Sequence, residues 1–141
     1  MDNFDIIQSK IYKRQVEFED YEADYRKAQK KLEEDYQDAD ALHSAIRQLA
    51  DQKIDVFYGI AQQGDFDLEQ ARSHFFDFLD HVVNEAETGL IRKRYDLDGE
   101  VDNLEQTYKK AYRKYEDDLE ALIIERRKAF EEEENAKKLG V

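Results

Sequence analysis

The chain has 141 residues, 40% of them Asp, Glu, Lys or Arg, with no proline, no cysteine and a net charge of −13. By length this is one domain, and a charged, proline-free composition with a heptad period reads as long helix or coiled coil. The absence of Cys removes disulfides and thiolate metal sites, the negative charge argues against nucleic acid as a partner, and no run approaches the roughly 18 apolar residues of a membrane span.

The start, Met1-Asp2-Asn3-Phe4-Asp5, is acidic where a signal peptide needs a basic segment and an apolar run, so a cytoplasmic location is expected. Asp2 or Asn3 can cap a first helix through a short side chain that accepts from a free backbone N–H. Every seventh residue from Phe4 gives Phe4, Ile11, Phe18, Tyr25, Leu32, Ala39, Ile46, Lys53 and Ile60. The interleaved set is Ile7, Arg14, Tyr21, Ala28, Asp35, Leu42, Leu49 and Val56. Fourteen of these 17 positions are apolar or aromatic. Such a pattern predicts a helix over 4–62, roughly 90 Å long, packed lengthwise against another helix.

A turn over 63–66 follows, with Gly64 suited to a left-handed helix cap. Asp67-Leu68-Glu69-Gln70 resembles a capping box, with Phe66 placed as a staple toward Ala71. A second helix is expected over 67–136, with fraying beyond it. Its two stripes, Leu68, Phe75, Leu79, Val82, Ala86 and then Leu97, Val101, Leu104, Tyr108, Ala111, Tyr115, differ in phase. The slip falls between Gly89 and Gly99, which predicts a kink, a local unwinding or a stutter there.

Charge blocks indicate how the helices meet. If residue i lies opposite 129 − i, Lys10, Lys13 and Arg14 face Glu116, Asp117 and Asp118. Glu17, Glu19, Asp20 and Glu22 face Lys109, Lys110, Arg113 and Lys114. Arg26, Lys27, Lys30 and Lys31 face Asp98, Glu100 and Asp102, while Glu33, Glu34 and Asp38 face Arg92, Lys93 and Arg94. Four blocks meeting their opposites favour an all-α fold: a long antiparallel, coiled-coil-like helical hairpin in a single domain.

Two helices leave apolar residues over. Phe57, Tyr58, Phe75, Phe76, Phe78, Leu119, Ile123 and Ile124 exceed the two heptad sets and form the candidate partner-binding residues. Either the segment after Gly89 folds back to cover them, or helices of another chain do; the second is preferred. His74, Asp77 and His81 share a helical face at metal-ligand spacing, but so acidic a chain makes such sets by chance. Five pairs place an acidic residue four after an aromatic one: Phe18/Glu22, Tyr36/Asp40, Phe76/Asp80, Tyr112/Glu116 and Phe130/Glu134. Pairing 17 Tyr and Phe with 35 acidic residues at random over 141 positions gives about four, so ordinary helix-surface spacing accounts for them. With no phosphate loop, nucleophile elbow or Cys nucleophile, the expectation is no enzymatic activity, no catalytic or metal residues and no cofactor.

The second half carries a family likeness. Gln63-Gly64-Asp65 ends the first helix and a Phe75-Phe76 pair follows. Then come Leu104-Glu105, a Tyr- and Lys-rich stretch, and Asp118-Leu119-Glu120 running into Glu125-Arg126-Arg127-Lys128. Over roughly 57–134 this pattern resembles the small α-helical LXG-associated (Lap) proteins encoded beside LXG toxins of Gram-positive type VII secretion systems, the second of their two common families above all. The resemblance implies a chaperone-like targeting factor that binds the helical N-terminal domain of an LXG toxin, alongside a second small helical protein, and promotes its export. It leaves open co-secretion with the cargo. A homo-oligomeric coiled-coil scaffold and a hairpin export factor of the flagellar or type III kind are the alternatives.

Overall fold

Apolar residues at 3–4 spacing, with proline nowhere in the chain, allow helices to run unusually long. The computed structural model describes residues 2–64 and 67–140. It contains α1, Asn3–Ala61, and α2, Leu68–Lys138, which pack antiparallel as a hairpin. Asp2 caps α1 by accepting from the Asp5 N–H at 2.9 Å, and Asp67 caps α2 by accepting from the Gln70 N–H at 3.2 Å. The backbone hydrogen bond also holds the Asp2 carboxyl below its usual pKa. α1 ends in a tightened turn, the Gln63 N–H donating to the Ile60 carbonyl at 3.0 Å. Two residues past the end of α2, Gly140 has a φ of +74°, the left-handed conformation that glycine adopts without a steric cost. Asp65 of the expected turn and Phe66, the expected staple, lie outside the described residues.

The expected unwinding between Gly89 and Gly99 does not occur: α2 is one helix through both. Its inward residues run Phe75, Leu79, Val83, Ala86 and Leu90 in 3–4 steps, then after one seven-residue step Leu97, Val101 and Leu104, all in one phase. The apparent slip came from Leu68 and Val82, which lie on the exposed side. No fold-back of α2 covers the surplus apolar residues.

The hairpin's contacts fall into two compact units, 1–30 with 102–141 and 31–101. In the first, Ile7, Ile11 and Ala129 form a core, with Phe4, Leu119 and Leu122 against it. Beyond them Phe18 stacks on Tyr115 at 4.1 Å and Tyr25 on Tyr108 at 4.3 Å. Offset aromatic stacking of this kind adds to area burial. The Tyr108 hydroxyl donates to Glu22 at 2.9 Å, and this bond raises the phenol's pKa. Arg14 occupies a seam position and remains satisfied there. Its Nε donates to Asp118 at 3.1 Å and its guanidinium lies 5.3 Å from the centre of the Tyr115 ring.

In the second unit Ala39 and Leu97 are buried, Leu97 completely. Ile46, Ala50, Ile54 and Phe57 line the α1 side of the seam, and Phe57 stacks on Phe75 at 4.6 Å. Arg47 and His43 both reach Oε1 of Glu87, at 2.8 and 3.6 Å, Arg94 pairs with Asp40, and the Tyr36 hydroxyl bonds Asp98.

The facing register differs from the expected 129 − i. Gln8 meets Arg126, Arg14 meets Asp118, Phe57 meets Phe75 and Asp40 meets Arg94, which sets residue i near 133 − i in both units. Helical side chains lean toward their own N-terminus, about one position each, so antiparallel partners meet about two residues later than backbone folding alone predicts. Roughly half of the shift has that origin. It also re-partners the charge blocks. Among the described residues no ion pair joins Glu17, Glu19, Asp20 or Glu22 to Lys109, Lys110, Arg113 or Lys114, and Glu22 accepts from Tyr108 instead.

Candidate partner-binding site

A strict seven-residue repeat keeps one face only on a supercoiled helix. On a straight one it drifts about 20° per heptad. The Ile7 column of α1 shows that drift. Ile7 is buried, Tyr21, Ala28 and Asp35 are half-buried, and Leu42, Leu49 and Val56 are exposed. In the second unit the seam passes instead to Ile46, Ala50, Ile54, Phe57 and Ala61. The heptad residues displaced by this drift become an outward apolar stripe of Leu42, Leu49, Val56 and Ile60, each 53–58% exposed. At 1.5 Å per residue it extends about 27 Å.

α2 supplies the other wall, with Phe78 and Val82 exposed beside the half-buried Leu79, Val83 and Ala86. Between the helices lies a groove in two joined parts. One, of about 300 Å³, is bounded by Leu49, Lys53, Phe78 and Val82; the other, of about 510 Å³, by Asp35, Asp38, Leu42, Gly89, Leu90 and Lys93. Ile46 and Ala86 belong to both. The walls of the first part are almost wholly apolar, and its one charged residue, Lys53, can keep its ammonium in water while its methylenes cover the wall. A contiguous exposed apolar surface of this kind marks an interaction site in most folded proteins.

The eight residues singled out from sequence divide. Phe57, Phe75 and Phe76 are half-buried in one aromatic cluster with Tyr58, whose ring is 5.6 Å from that of Phe57. Of these, Phe57 and Phe75 join the two helices, and the Arg72 guanidinium lies 5.9 Å from the Phe76 ring. Phe78 stands apart, 68% exposed, on the groove. Leu119 belongs to the first unit, packed against the Ile7–Ile11–Ala129 core, and Ile123 and Ile124 are exposed there. Leu42, Leu49, Val56, Ile60 and Val82 were assigned to seams by their spacing and are instead the surface. The signal that could have found them is the competing set Ala50, Ile54, Phe57, Ala61, which fits a 3.6-residue period better than the heptad.

His74, Asp77 and His81 are all exposed, and His81 lies 3.2 Å from Glu85. Among the described residues no group of three His, Cys, Asp or Glu is placed to hold a metal ion, and no helix is long and apolar enough to cross a membrane. No protein-family model matches the chain, and no curated protein and no solved structure matches it.

Proposed function

We propose that this chain is a non-enzymatic targeting factor that binds the helical N-terminal domain of an LXG toxin in the cytoplasm and promotes its export by a type VII secretion system. The observation that carries the reading is the apolar groove between the two helices, walled by Leu42 and Leu49 on α1 and by Phe78 and Val82 on α2, with Val56 and Ile60 also exposed on α1. Two packed helices with an uncovered groove are an incomplete bundle, and helices from another chain are its natural completion. The sequence likeness to LXG-associated proteins over roughly 57–134 names that other chain. A second small helical protein in the same assembly would cover what the toxin leaves.

Co-expression with the LXG domain encoded beside this chain's gene tests the reading. The two should co-elute as one complex, and deleting this chain should lower toxin in the culture medium; this chain's own presence in that medium decides whether it travels with the cargo. Failure to co-elute, together with a stable dimer of this chain by light scattering, would replace the reading with the scaffold alternative.

A further inference from the structure

Charge is unevenly divided between the units. Residues 31–101 hold 7 Lys and Arg against 17 Asp and Glu, so this unit carries −10 of the chain's −13, and the remaining 70 residues only −3. The uncovered apolar groove lies wholly within that acidic unit. Its lining charges cancel, Asp35 and Asp38 against Lys53 and Lys93, so the surplus belongs to the rest of the unit. Of the lining carboxylates, Asp38 forms no ion pair among the described residues, which leaves it available to a cation.

We propose that the groove takes a basic amphipathic helix of about 18 residues, seated with its apolar face on Leu42, Leu49, Phe78 and Val82 and its cationic flank toward Asp38, in the field of this acidic unit. The length follows from the 27 Å stripe at about 1.5 Å per residue. The helical form follows from the groove's position between two antiparallel helices, where a third helix buries its apolar face most completely. The sign of charge decides between occupants. A second copy would bring −10 against −10 across an apolar contact, whereas a basic helix is drawn in by the field and held by burial. The inference rests on the preceding reading for the surface being a partner site and adds the partner's shape and charge.

The test uses the full chain and two labelled 18-residue peptides, one with Leu along one helical face and Lys on the other, the second with Glu in place of every Lys. Fluorescence anisotropy at about 150 mM salt keeps surface attraction screened beyond about 8 Å. The Lys peptide should bind, and Leu49→Ser with Val82→Ser should weaken it about tenfold or more. Ile123→Ser with Ile124→Ser, on the other unit, should leave it unchanged. The Glu peptide should bind at least about tenfold more weakly than the Lys peptide. Binding of the Lys peptide that is indifferent to the groove substitutions would mean adsorption by charge alone and overturn the proposal. Equal binding of both peptides would overturn it too, as would a dimer that the groove substitutions convert to monomer. Because Leu49 and Val82 are about half exposed, the altered chain should keep its helix content by circular dichroism. The toxin co-elution above is a separate reading: the peptides succeeding while the toxin fails discards the toxin, and the reverse discards the groove.

Discussion

Two leucines of one chain separate structural from surface roles. Leu97 is fully buried, whereas Leu49 is 53% exposed although it stands in the more regular heptad column. Leu97→Ala should cost about 2–4 kcal/mol in urea unfolding, and Leu49→Ala no more than about 0.5 kcal/mol. Comparable losses would return Leu49 to the seam. Glu133 offers a pH-dependent test. Its Oε1 is shut off from solvent without a hydrogen-bond donor among the described residues. This burial, reinforced by the negative charge of Asp2, raises its pKa. A carboxyl whose folded pKa is raised binds its proton more tightly in the folded state. Its ionised form therefore opposes folding above the folded pKa, and that penalty vanishes below the unfolded value of about 4.3. Glu133→Gln should raise the melting temperature at pH 7 and change it little at pH 3. A gain that persists at the lower pH would assign the effect to something other than ionisation.

At the scale of the helices, the sequence made most of the fold legible. The caps could be placed, Asp67 outright and Asp2 as one of two candidates with Asn3, because an N-cap is a local matter of side-chain length and acceptor chemistry. The antiparallel hairpin followed from the charge blocks, although the register was about one helical turn off, roughly half of it because side-chain lean is invisible in a string of letters. Two readings of α2 and α1 failed for the same reason. Leu68 and Val82 were joined to Phe75 and Leu79 as one stripe, and Leu42, Leu49 and Val56 to Ile7 as another, since 3.5 and 3.6 residues per turn diverge only over several turns. The candidate site was hidden by that divergence: its residues looked like core. Gly89 and Gly99, which bracket the expected kink, unwinding or stutter, stand inside one continuous helix, and a methyl group placed on either meets nothing within 4 Å. Gly99→Ala should stabilise the hairpin by about 0.5–1 kcal/mol in chemical denaturation. A loss would mean that the helix there needs glycine's freedom.

For the molecule as a whole, the two compact units share a fold and differ in surface. The unit formed by 1–30 and 102–141 has Phe18, Tyr21, Tyr25, Tyr108 and Tyr115 stacked in its seam and Arg14 held by Asp118, with Ile6, Ile123, Ile124 and Phe130 exposed. The unit formed by 31–101 holds most of the negative charge and the open apolar groove. Under the proposed function, the groove in residues 31–101 is where a partner helix docks, and the chain remains folded without it. The measurement that tests this division most directly is amide hydrogen exchange on the full chain, alone and bound to the LXG domain of the adjacent toxin. If the LXG domain proposed as partner binds the groove, the account predicts slowed exchange over 42–60 and 75–93, with 1–30 and 102–141 unchanged. Slowed exchange confined to 1–30 and 102–141, or no difference at all in the presence of the toxin domain, would contradict it.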